Sequence, residues 1–173
     1  MEKERSKVER FIADKKPIVI SVNYAPEDIE VTGIFLTKAK RYTQLVSDLH
    51  RNINKGKPIL ATSNVTKIAG DFPYVLNYSS LIDRDTEIID NSLIMLLKVL
   101  LRMKVSTVSL AGFDGYSKRA SNYFDESREY SFAKSKADYL NAYVKDFLNR
   151  IKDEMTVDFI TKTRYEWQGK DGE

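Results

Sequence analysis

The sequence predicts an α/β fold in three layers: a mostly parallel sheet of about five to six strands with helices on both faces. Three observations lead there. Short apolar runs rich in β-branched residues recur along the chain, as in PIVISVNY (17–24) and MTVDFITKT (155–163). Continuous runs of this kind suit strands covered on both sides in a parallel sheet. Between the runs lie segments with apolar residues at helical spacing. No low-complexity linker or internal repeat interrupts the 173 residues, and that length fits one domain with a proper core, residues 1–173.

Each element has its own signal. Residues 4–14 place Val8, Phe11 and Ile12 on one helical face, and Pro17 ends that helix. Strands follow over 17–24 and 31–37, then a helix over about 42–54 and strands over 57–64 and 72–80. The clearest helix covers 90–104, where Asp90 or Asn91 can cap the first turn and Asn91, Lys98 and Arg102 form a narrow polar stripe. A strand over 106–112 leads into a polar loop (113–131). A long amphipathic helix over about 132–153 carries Ala133, Ala137, Leu140, Val144, Phe147, Leu148 and Ile151 at helical spacing. The last strand covers 155–163, and the tail from Arg164 is polar.

Composition narrows the function. Twenty-eight basic against 25 acidic residues leave a net charge of +3, too little to argue for nucleic acid. The dense basic spots (Lys15-Lys16, Lys38-Lys40-Arg41, Lys55-Lys57) read as solvated surface. With no cysteine, disulfides, thiolate catalysis and Cys-based zinc sites are excluded. The lone histidine, His50, sits in a helical pattern and reads as surface or packing, so a His-rich metal site is excluded too. The charged start is no signal peptide, and SLIMLLKVLL (92–101) is well short of a membrane span, which predicts a cytoplasmic protein without membrane contact.

In a parallel α/β sheet, ligands bind outside the carboxyl ends of the strands. The residues after each expected strand are therefore the candidates: Asn23, Lys38 with Arg41, Asn64, Asn77, Asn91 and Ser92 at a helix start, and Gly112, Asp114 and Tyr116. They offer hydrogen bonds to a small polar or anionic ligand, such as a nucleotide or sugar nucleotide. The helix start near Asp90 favours an anion, although Asp90 itself opposes one. No glycine-rich phosphate loop is present, and Asp83-Arg84-Asp85 reads as a salt-bridging loop rather than a metal site. No catalytic residue, metal ligand or cofactor is assigned. Asp114-Gly115 supplies a turn by itself, and Asp114 reads as a ligand contact or loop-fixing residue before a catalytic acid.

Three stretches carry a family resemblance: PIVISVNYAPEDIEVTGIFLTKAKRY (17–42), DNSLIMLLKVLLRMKVSTVSLAGFDGYS (90–117) and NYF (122–124). Together they resemble the C-terminal Rossmann-like domain of bacterial 4-hydroxy-2-oxovalerate-aldolase-like (HMG-CoA-lyase-like) proteins. The resemblance covers roughly residues 4–125, and A-G-F-D-G-Y is its most specific part. It implies an excised C-terminal fragment whose partner is the parent chain's aldolase barrel. In such proteins, often encoded with bacterial surface-polysaccharide genes, a metal-dependent barrel, absent here, carries the carbon–carbon chemistry, and the resemblance implies that this domain is accessory or regulatory. The layout is more distantly similar to family 42 sialyltransferase-like domains, on which Asn23, Lys38, Asn91, Ser92, Gly112 and Asp114 fall at matching places. Leu93 stands where those domains have a small glycine, and their catalytic histidine has no counterpart. A nucleotide-sugar-dependent glycosyltransferase-like role is the alternative. A purely structural, assembly role, including homo-oligomerisation, is a third, since ten tyrosines and eight phenylalanines suffice for an interface.

Overall fold

The computed structural model of the chain describes residues 2–49, 52–65, 72–119 and 132–165. His50 and the 122–124 segment lie outside the described residues. The fold is α/β, and every strand pair among the described residues is parallel, as expected of the Rossmann-like class. The described elements are α1 Glu2–Lys15, β1 Ile20–Val22, β2 Gly33–Leu36, α2 Ala39–Leu49, β3 Ile59–Thr62, β4 Tyr74–Leu76, α3 Ser92–Arg102, β5 Thr107–Leu110, α4 Phe132–Ser135, α5 Ala137–Ile151 and β6 Thr156–Phe159. β1, β2, β3 and β4 pair in that order, and β5 pairs with β6. Two compact units result: residues 15–99, and residues 1–14 with 100–173.

The unit of residues 15–99 holds the four-stranded sheet. β2 is buried at every position because it lies between β1 and β3, so GIFL needs no polar alternation. Ile34 pairs with Ser21 on one side and Ile59 on the other, which fixes the register. Ala25, Val31, Ile34, Leu36, Tyr42, Leu45, Ala61 and Val65 form the buried cluster, and Phe72 meets Tyr42 edge-on at 5.2 Å. Each large apolar side chain so buried contributes about 1.5–3 kcal/mol.

The expected strand over 17–24 shrinks to three half-buried residues. Pro17 has no N–H to offer, β1 is an edge strand, and Asn23 turns out of the ladder at φ +55°. Asparagine tolerates that left-handed conformation better than most residues. β1 joins β2 through residues 23–32 without a helix. The buried Asn54 side chain holds this connection, accepting from Val31 N at 2.8 Å and donating to Pro26 O (2.8 Å) and Ile29 O (3.0 Å). The helix expected over 42–54 instead starts at Ala39 and ends at Leu49, and Asn54 belongs to the turn after it. β4 is shorter than the expected 72–80, and Tyr74 and Val75 on it are exposed.

In the other unit, β5 and β6 pair from Thr107 with Thr156 to Leu110 with Phe159. All seven apolar positions expected on the long helix are buried, joined by Tyr143. That helix runs as α4 and α5 with a break at Lys136. β6 stops four residues before the expected end, where Thr161 turns its hydroxyl to the backbone of Gly112. No helix among the described residues is long and apolar enough to cross a membrane.

Candidate functional site

The carboxyl ends of β1, β2, β3 and β4 and the start of α3 are joined by side-chain hydrogen bonds into one polar cluster. Asn23, past the end of β1, is its first tie. Its Nδ2 donates to Thr37 Oγ1 (3.1 Å) and Ser92 Oγ (2.9 Å), and its Oδ1 accepts from Thr37 N at 2.8 Å. Thr37 Oγ1 and Ser92 Oγ share a hydrogen bond at 2.7 Å. Thr37 is fully buried, and these bonds satisfy a polar group that would otherwise be costly to bury.

Lys38 and Asp90 form the charged part. Their side chains make an ion pair, and Lys38 Nζ also donates to Asp90 O at 3.1 Å. The Tyr78 hydroxyl donates to Asp90 Oδ2 at 3.2 Å. Partial burial pushes the Tyr78 phenol up, and the Asp90 carboxylate and its hydrogen bond push it further. Tyr78 therefore stays protonated at neutral pH and serves as a donor, not a base. Asn77 holds Tyr78 in position by capping a single 3₁₀ turn, accepting from Ser79 N at 3.0 Å.

Asn64 ties β3 to β2 by donating from Nδ2 to Thr37 O at 3.0 Å, while its Oδ1 accepts from Thr62 Oγ1 at 2.6 Å. Ser63 Oγ accepts from Tyr78 N at 3.1 Å. Asn91, not Asp90, caps α3: its Oδ1 accepts from Leu93 N (3.1 Å) and Ile94 N (3.2 Å). The expectation that this helix start favours an anion is corrected accordingly. Two of its N–H groups are already engaged, and the Asp90 carboxylate stands immediately before them.

Of the sequence candidates, Asn23, Lys38, Asn64, Asn77, Asn91 and Ser92 thus belong to one cluster. Arg41 is buried on α2, where Nη1 donates to Gln44 Oε1 at 3.2 Å. Asp83 pairs with Lys98 at 3.1 Å, as a salt-bridging loop should. Thr62 and Asn54 were not singled out from the sequence. Their signals are local: T-x-N over 62–64 and N-x-N over 52–54 are side-chain-to-backbone turn patterns.

Gly112, Asp114 and Tyr116 belong to the unit formed by residues 1–14 and 100–173, and there they fix a loop. Gly112 N donates to Thr161 Oγ1 (2.9 Å), and Thr161 Oγ1 donates to Asp114 Oδ1 (3.3 Å). Asp114 O accepts from Arg164 N at 2.8 Å. The Asn141 amide takes both backbone groups of Tyr116, at 2.8 and 2.9 Å. Asp114 as a residue is exposed, yet its carboxyl packs against Thr161. This partial burial and the Glu4 charge push its pKa above the ordinary carboxylate range, while Thr161 and Arg164 pull the other way.

No family model, curated protein or solved structure matches the chain. Among the described residues, no three His, Cys, Asp or Glu side chains group as metal ligands.

Proposed function

We propose that residues 15–99 are a binding module for a small polar ligand, seated at the carboxyl edge of the four-stranded sheet. The observation that carries this is the joining of four strand ends and a helix start by amide, hydroxyl, ammonium and carboxylate groups. A ligand there meets donors and acceptors already held in place, which lowers the ordering cost of binding. The cluster contains no activated nucleophile, and its lysine is held in an ion pair, so binding fits it better than bond-breaking. The resemblance to the domain that follows an aldolase-like barrel supports an accessory or regulatory role beside a carbon–carbon lyase.

Thermal-shift measurements on the full chain with nucleotides, sugar nucleotides, 2-oxo acids, adenosine and neutral methyl glycosides test this reading. At a ligand concentration about 100 times Kd, binding to the folded state adds about 2.7 kcal/mol of stability, which raises Tm by several degrees. A flat response across the panel refutes ligand binding.

A further inference from the structure

Six residues of the cluster close a circuit around the carboxyl ends of β2, β3 and β4. Ser63 accepts from Tyr78 N, and the Tyr78 hydroxyl donates to Asp90. Asp90 pairs with Lys38, which follows Thr37 in the chain. Thr37 O accepts from the side chain of Asn64, the neighbour of Ser63. Ser63 and Asn64 are exposed, and Lys38 and Asp90 keep 24% and 26% of their side chains accessible. The ring carries one positive and one negative charge, already paired.

We infer that the ligand of this ring is a neutral molecule bearing vicinal hydroxyls, as in a saccharide or a ribose, and not a phosphate. The inference rests on the binding reading above and narrows it. A phosphate needs uncompensated positive charge or free helix N–H groups. Here Lys38 is neutralised by Asp90, and Asn91 engages the N–H groups of Leu93 and Ile94. A carboxylate at the rim repels an anion. A vicinal diol has the opposite fit. Its hydroxyls donate to Asp90 and accept from Lys38 and the Asn64 amide, so both members of the ion pair keep partners.

Calorimetric titration of the full chain with adenosine, neutral methyl glycosides and inorganic phosphate tests this. Adenosine or a glycoside binds, with affinity changing less than about twofold between about 0.05 and 0.5 M NaCl, because no net charge is screened. Binding of adenosine only assigns a ribose, and binding of a glycoside only assigns a saccharide. Asp90→Asn weakens the interaction about tenfold, the loss of one charge-assisted hydrogen bond. Should that variant fail to fold, Tyr78→Phe, which frees one side of the Asp90 carboxylate, must also change the affinity. The inference is overturned if phosphate binds and weakens steeply with salt while the neutral probes are silent, or if the neutral probes bind equally to both variants. The first result leaves the binding module standing, and the second takes binding away from the carboxyl edge. Silence of these probes together with a flat thermal-shift panel removes both readings.

Discussion

Asn23 does two things with one side chain. Its backbone leaves β1 in the left-handed region, and its amide ties Thr37 and Ser92 together. Asn23→Ala therefore loses the hydrogen bonds and puts a residue that tolerates positive φ less well than asparagine into the left-handed turn, costing about 2–4 kcal/mol in urea unfolding. Asn23→Gly loses the same bonds without the backbone strain and is the milder change. Equal losses would show that the left-handed turn carries no strain. Asp114 gives a pH signature. Its folded pKa is raised, so the folded state holds this proton more tightly than the unfolded chain does. The associated stability is present below the ordinary carboxylate pKa and disappears as pH rises through the folded value. Asp114→Asn, which cannot ionise but can still accept from Thr161, should match or slightly exceed the parent's Tm at pH 7. The exposed position keeps the difference below about 1 kcal/mol. A marked loss of Tm in the variant at pH 7 would contradict the direction of the shift.

At the scale of elements, the connection from β1 to β2 is the part least like a standard crossover. Parallel strands are usually joined by a dozen or more residues and a helix. Here ten residues, 23–32, suffice because Asn54 satisfies backbone groups of Pro26, Ile29 and Val31. Asn54→Ala leaves those groups without that side chain, and a loss of about 3 kcal/mol is expected in chemical denaturation. A change under about 0.5 kcal/mol would mean that water replaces the amide freely. The strand and helix types were legible because apolar runs and helical spacing are local features. Strand ends were not, since a strand extends only as far as a neighbour pairs with it. β1 and β4 are edges, and each forms fewer ladder residues than its apolar run suggests.

Over the whole molecule, the rule that ligands sit at carboxyl strand ends picked out the polar residues of one cluster from spacing alone. It did so for Asn23, Lys38, Asn64 and Ser92, which long-range side-chain bonds bring together, and for Asn77 and Asn91, which act locally by holding the Tyr78 turn and the start of α3. It treated Asp114 in the same way, but Asp114, Gly112 and Tyr116 spend their hydrogen bonds on a loop in the other unit. Sequence position does not reveal which neighbours a polar group will bond, and this separates the two cases: one set joins several strand ends, the other fixes a single loop. The most direct test is backbone amide NMR of the full chain titrated with adenosine and with neutral methyl glycosides. If the carboxyl edge of the four-stranded sheet is the binding site, the largest shift changes fall on Thr37, Lys38, Ser63, Asn64, Tyr78 and Asp90, while Gly112, Asp114 and Tyr116 stay in place. Shift changes centred on residues 112–116, or none anywhere, would contradict it.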